Sequence, residues 1–292
     1  MFINVADELK KARNGGYALG AFNTNNLEAT KAICAAAKKS NFPIIIQTTP
    51  GAIDYAGLRQ IFEIVKTEIE EAGIEAALHL DHGKDFEVVK KCIDIGYRSV
   101  MIDGSKLPFA ENVALTKRVV DYAKPKNVSV EAEIGAIGTD EGAASGKAGA
   151  GVPASVEDGM RELTKAIMSS PDEVKRFVEL TGVDSIAVSV GNEHGAPEGE
   201  KINLKLLEEI SKIIEIPLVM HGASGLSDED IKAVIGLGIA KINIDTQIRK
   251  AFIAGLSNIN AETRDYREIL KISMENIEEV VKEKIGLFSA NK

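Results

Sequence analysis

Short apolar runs rich in β-branched residues alternate along the chain with longer stretches that carry apolar residues at helical spacing and charge on the opposite face. The runs predict strands at 19–23, 43–48, 76–80, 99–102, 128–133, 185–190, 217–220 and 240–244. The stretches between them predict helices at 26–40, 55–72, 86–95, 112–123, 170–181, 204–213 and 227–237. Strands separated by helices pair in parallel through right-handed crossovers. Eight such units predict an α/β fold, a single TIM (β/α)8 barrel, with an open doubly wound sheet as the alternative. After residue 246 the pattern is helical to the end, so extra C-terminal helices follow the last strand. Such barrels take about 250 residues as one unit, so residues 1–292 are expected to form one domain.

Punctuation agrees with this parsing. Ser170-Pro171-Asp172-Glu173 places an N-cap, a first-turn proline and two acids where a helix begins, and Ser227-Asp228-Glu229-Asp230 repeats the device. Residues 135–160, including GAASGKAGAGVP, fit no element. They follow the fifth strand directly and are expected to form a mobile loop on the carboxyl face of the barrel.

Composition narrows the class. The net charge of −9, from 35 basic and 44 acidic residues, gives no basic footprint, so nucleic acid is not an expected partner. A phosphate ligand is still compatible, because it needs only a few local donors. No window reaches the ~20 apolar residues of a membrane span. The amphipathic N-terminus has no apolar core of signal-peptide length, and a cytoplasmic enzyme is the expectation. Cys34 and Cys92 form no CxxC pair and fall in helical stretches, where apolar packing is the better reading.

The candidate chemistry collects at strand ends. Of four histidines, His82, His194 and His221 fall at or just beyond the ends of strands three, six and seven. Catalytic groups in such barrels project from those ends, and three imidazoles with one open position suit a catalytic zinc. In His79-Leu80-Asp81-His82-Gly83, strand alternation points Asp81 and His82 apart, so only one of them can lie fully in a metal cavity. If His82 binds metal, Asp81 is left beside it as an acid/base, and His79 becomes a supporting or core residue. Glu131 and Glu133 share one face of strand five, which is costly inside a barrel unless a cation or hydrogen-bond network stabilises them. Asp103 takes the corresponding place after strand four. Beyond the last two strands, Gly222, Ser224, Asp245 and Thr246 sit where barrel enzymes hold phosphate on loop N–H groups.

Taken together, HLDHG, SVMIDGS, VEAEIG, GVDSIAVSVGNEHG, VMHGASGL and KINIDT resemble the class II aldolase family, which includes fructose- and tagatose-bisphosphate aldolases. The strings occur in the family's order, and the likeness runs from about Asn4 to at least Arg267. The resemblance implies a β/α barrel with one catalytic zinc and room for a second metal site. It also implies a monovalent cation, Na+ or K+, near the phosphate, sugar-phosphate substrates, and a homodimer or homotetramer. His82, His194 and His221 would bind zinc, with Glu133 as an alternative ligand and Asp103 beside them. Asp81 would be the acid/base at the substrate oxygen, Glu141 the loop acid that exchanges the carbon-bound proton, and Asn243 a contact to the enediolate. Gly195, Gly222, Ser224, Asp245 and Thr246 would hold the ketose-side phosphate. Asn23, Gln47 and Thr49 would line the pocket, and Arg267 would reach a neighbouring subunit's distal phosphate.

The chain departs from the family in three places. Glu198 stands where a lysine is common, the 135–160 loop is long and glycine-rich, and no proline precedes Arg267. All three bear on substrate choice rather than on the metal. A Schiff-base lysine is the competing solution to aldol cleavage. Lys241 precedes its strand end by several residues and reads as a rim or packing lysine instead. A metal-dependent hydrolase would favour an early His-x-His pair, which is absent. A non-catalytic sugar-phosphate binder would have no need of Asp81 or of a loop acid.

Overall fold

The structure, a computed structural model, describes residues 2–135, 168–192, 201–257, 265–290 and 292. Eight parallel strands close into one barrel in chain order. They are β1 (Leu19–Asn23), β2 (Ile44–Thr48), β3 (Ala76–Gly83), β4 (Ser99–Ile102), β5 (Ser129–Ile134), β6 (Ser185–Val188), β7 (Leu218–Met220) and β8 (Ile239–Ile244). The ring closes where β1 meets β8, with Ala21 opposite Asn243. The barrel prevails over the open sheet, β1 and β4 keep the predicted borders, and the other strands shift by one to three residues; β3 gains most, running on through Asp81, His82 and Gly83.

Among the described residues the helices are α1 (Val5–Gly15), α2 (Leu27–Ser40), α3 (Pro50–Ala56), α4 (Leu58–Ala72), α5 (Phe86–Ile95), α6 (Phe109–Ala123), α7 (Pro171–Thr181), α8 (Leu204–Ile213), α9 (Asp228–Gly236), α10 (Thr246–Leu256) and α11 (Tyr266–Phe288). The pattern predicts one helix across 55–72, and the structure corrects this. Gly57 takes φ 86°, a conformation glycine reaches without penalty, and separates α3 from α4. Ser227 caps α9 by accepting from Asp230 N (3.1 Å), whereas Ser170, at the start of α7, makes no side-chain cap bond.

Strand alternation divides the core in two. Outward residues such as Phe22, Ile46, Leu78, Val100, Ile186 and Ile242 pack against the helical ring. Inward residues Leu19, Ala21, Ile45 and Ala77 form a smaller cluster with Val5, Leu9 and Ala12 of α1, which therefore closes the amino end of the barrel. The C-terminal α11 lies against α2 and α10 and buries Ile277, Val281, Ile285 and Phe288. Cys34 and Cys92 are buried in this core, and burial pushes both thiols up to about 12. The carboxyl end of the barrel is thus the end left for chemistry.

Candidate active site

The end of β3 is built around a bulge. Leu80 pairs with Val100, but the next pairing is Gly83 with Ile102, so three steps on β3 match two on β4. The extra residue is absorbed at His82, which takes the left-handed conformation at φ 49°. That costs a non-glycine residue about 1–2 kcal/mol. Gly83 follows where a Cβ would lie 2.6 Å from the Met101 carbonyl oxygen, so only glycine fits without movement. The bulge overrides simple alternation. Instead of pointing apart, Asp81 and His82 both reach a cluster with His221 in which one donor atom from each lies within 4.8 Å of the others.

Asp81 is buried and held by amides from three strands. Asn23 Nδ2 and Gln47 Nε2 donate to its Oδ2 (3.0 and 3.2 Å), and Asn243 Nδ2 donates to its Oδ1 (3.1 Å). Gln47 Nε2 also donates to Asn23 Oδ1 (2.6 Å). Burial would push the Asp81 carboxyl up, but His82, His221 and Lys241, with the Asn23 bond, outweigh it and hold the group below its ordinary value. Two buried amide oxygens beside it, Gln47 Oε1 and Asn243 Oδ1, have no hydrogen-bond partner among the described residues. Hydroxyl groups would satisfy them.

The imidazoles of His82 and His221 meet edge to face, with His82 Nε2 and His221 Nδ1 3.0 Å apart. His82 Nδ1 donates to Asp103 Oδ2 (2.9 Å), and Asp103 Oδ1 accepts from the Ser105 hydroxyl (2.7 Å). Burial disfavours a charged His82, yet Asp81, Asp103 and Glu133 overcome it and raise the ring to about 10. Glu133, 2% exposed, forms a second donor group with His82 and Asp103.

The turns beyond β7 and β8 lie together. Gly222 takes φ 67° and leads into the 3-10 turn Ala223–Gly225, whose Ser224 carbonyl accepts from Gln247 Nε2 on α10 (3.1 Å). Asp245 precedes Thr246, the first residue of α10, and its carboxylate pairs with Arg249 (2.9 Å). Burial pushes the Asp245 carboxyl up, against Arg249. Thr49 caps α3 by accepting from Ala52 N (3.2 Å), two residues beyond Gln47. Arg267, in the first turn of α11, is exposed and bonded to Asp265 (2.6 Å). His194, Gly195 and Glu141, together with Glu198, lie outside the described residues.

The family model for class II fructose-bisphosphate aldolase matches residues 3–292. The chain belongs to the class II fructose-bisphosphate aldolase family. It is accordingly an aldolase, a carbon–carbon lyase. The chain resembles the YdjI aldolase from Escherichia coli K12, at 29% identity and TM-score 0.84 over 100% of this chain and 98% of that one. It is similar to a protein from Coccidioides immitis assigned as a fructose-1,6-bisphosphate aldolase, at 25% identity and TM-score 0.85 over 99% and 96%. A fructose-bisphosphate aldolase from Campylobacter jejuni shares the fold at 22% identity and TM-score 0.78 over 99% and 95%.

The residue of this aldolase that the sequence undervalued, Lys241, lies with Glu131 and His79 just below the cluster. Lys241 is not on the rim: it is fully buried inside the barrel, where its Nζ donates to Glu131 Oε2 (2.8 Å). The other carboxylate oxygen of Glu131 lies 2.9 Å from His221 Nε2. His79, also fully buried, places Nδ1 2.7 Å from Ser99 Oγ and Nε2 3.4 Å from Lys241 Nζ. Asn192 donates to the His221 carbonyl (2.9 Å) and fixes the end of β7. The signal for Lys241 was its period-two relation to Asn243: two residues apart on β8, both share the inward face.

Proposed function

We propose that this aldolase is zinc-dependent and reversibly cleaves a ketose bisphosphate, fructose 1,6-bisphosphate giving dihydroxyacetone phosphate and glyceraldehyde 3-phosphate. Tagatose 1,6-bisphosphate and other phosphorylated ketoses are the alternative substrates. The carrying observation is the pair of ring nitrogens 3.0 Å apart beside a carboxylate held by three amides. Two nitrogens on a tetrahedral zinc with bonds of about 2.0–2.1 Å lie about 3.3 Å apart, so the spacing fits. The donor set fits too, because His82 and His221 are nitrogen ligands with carboxylates close by.

In this reading His82 and His221 hold the metal, with His194 completing the set. Glu133 is an alternative ligand and Asp103 orients His82 through Nδ1. A bound zinc supplies a Lewis acid at the ketose carbonyl, worth several kcal/mol to the charge that develops as the C3–C4 bond breaks. Asp81 takes the C4 hydroxyl proton in cleavage and returns it in condensation. The three amides keep its carboxylate aimed at that hydroxyl. Asn243 holds the ketose side, and the unpartnered oxygens of Gln47 and Asn243 accept from sugar hydroxyls. Glu141 exchanges the proton at C3. Gly195, Gly222, Ser224, Asp245 and Thr246 hold the ketose phosphate, with a monovalent cation, Na+ or K+, close to it.

Asn23, Gln47 and Thr49 line the pocket, and Arg267 serves the distal phosphate of a partner subunit in a cytoplasmic homodimer or homotetramer. Among the described residues no helix is long and apolar enough to cross a membrane. The test of substrate is product detection after the zinc-loaded enzyme meets a panel of ketose bisphosphates. Dihydroxyacetone phosphate from at least one member is expected, and no triose phosphate from any of them would contradict the reading.

A further inference from the structure

Three ionisable side chains lie buried in the barrel beside the proposed metal site: Lys241, Glu131 and His79, all at or below 2% exposure. Buried charge of this kind is expensive unless it performs a task that apolar packing cannot. Their hydrogen bonds run in one direction. The Lys241 ammonium has only protons to give, so Glu131 Oε2 accepts at 2.8 Å and His79 Nε2 accepts at 3.4 Å. The His79 proton is then on Nδ1, which donates to Ser99 Oγ at 2.7 Å. Glu131, engaged by the ammonium, can only accept at its other oxygen, so His221 Nε2 donates to it at 2.9 Å.

A second, independent contact agrees on the state of the His221 ring. Asn243 Nδ2 lies 3.1 Å from Asp81 Oδ1, which fixes that atom as the amide nitrogen, because a carboxylate accepts. The same nitrogen lies 3.2 Å from His221 Nδ1, which must therefore accept. Both routes leave the proton on Nε2 and the lone pair on Nδ1, the atom 3.0 Å from His82 Nε2.

We propose that Lys241 is a positioning residue for the metal centre: through Glu131 it fixes the tautomer and angle of His221, so that Nδ1 is the nitrogen offered to the metal. This rests on the zinc reading above. Lys241 is then neither a surface lysine nor a Schiff-base nucleophile but the innermost link of a Lys241–Glu131–His221 chain that ends at the ligand. Partners of this kind behind a ligating histidine typically contribute 10–100-fold in metal affinity.

The test uses the full-length protein and three variants. Lys241→Met removes the ammonium at similar length but strands a buried carboxylate and is liable to unfold. Lys241→Met/Glu131→Gln removes both charges and keeps the barrel interior neutral. Glu131→Gln alone serves as the conservative comparison. Two quantities are read: zinc affinity by competition with a chromophoric chelator, and the His221 tautomer by 15N NMR of the imidazole ring.

The wild type is expected to show a single tautomer with the proton on Nε2. The folded double variant is expected to show mixed tautomers and to bind zinc roughly 10–100-fold more weakly, with Glu131→Gln shifted the same way. Unchanged zinc affinity and an unchanged tautomer in the folded double variant would overturn the positioning role alone. A wild type that binds no zinc, or whose zinc is insensitive to His82→Ala, would overturn the reading of the site and this role with it.

Discussion

At the scale of single residues, Asp81 carries the most specific expectation. Its carboxylate accepts amide protons from Asn23 and Gln47 at one oxygen and from Asn243 at the other, and an amide of the same shape keeps one of those two acceptors. Asp81→Asn keeps the shape and the fold but cannot take a proton. Turnover should fall by ~10²–10⁴ while zinc content and thermal midpoint stay near wild type. Steady-state kinetics beside metal analysis checks this, and unchanged turnover with full metal would move the acid/base role elsewhere. Residue identity and spacing were enough to single out Asp81, His82, His221, Asp103 and Glu133, and the family resemblance added Asn23, Gln47 and Asn243. All eight converge at the carboxyl end of the barrel, because strand-end position in a β/α barrel nearly determines location. Partnership was harder to read. Glu131 pairs with Lys241 across 110 positions of sequence, and local spacing carries no trace of such a contact.

At the scale of elements, the decisive feature is the bulge that ends β3. A period-two reading sends Asp81 and His82 to opposite faces. The left-handed turn at His82 and the close approach at Gly83 bring both to the same cluster. HLDHG placed Asp81 and His82 at the strand end but concealed this turn, because a bulge depends on how β4 aligns beside β3. Gly83→Ala should cost about 1–3 kcal/mol, because the added methyl meets the Met101 backbone oxygen at 2.6 Å and cannot swing aside. It should also weaken zinc binding by moving His82. Urea denaturation and zinc titration of the variant check both parts. Wild-type stability and affinity together would mean that the bulge is not what sets His82. The split at Gly57 is a case of the same kind: the apolar pattern runs through it, and only the backbone angle reveals the break.

At the scale of the whole molecule, the barrel was the most legible property, since eight strand–helix alternations admit few topologies. The proposed assembly and the proposed distal half of the pocket are another matter, because they would depend on loops and on surfaces between subunits. Arg267 is 79% exposed in its side chain and bonded to Asp265, as suits a residue presented outward from α11. If it serves a partner's distal phosphate, Arg267→Ala should raise KM for a bisphosphate several-fold. Exchange of the C3 proton of dihydroxyacetone phosphate should persist, since that half-reaction involves no distal phosphate. Both rates measured on one preparation, with mass by light scattering, decide it; equal losses, or an active monomer, would remove Arg267 from this role.

The central claim is that aldol cleavage runs through a metal held by His82 and His221, and activity measured across removal and return of the metal tests it most directly. Chelation to a metal-free protein should abolish cleavage of the preferred ketose bisphosphate. Returning about one zinc per chain should restore it, and His82→Ala should fail to recover under the same titration. Full activity in rigorously metal-free protein would contradict the account.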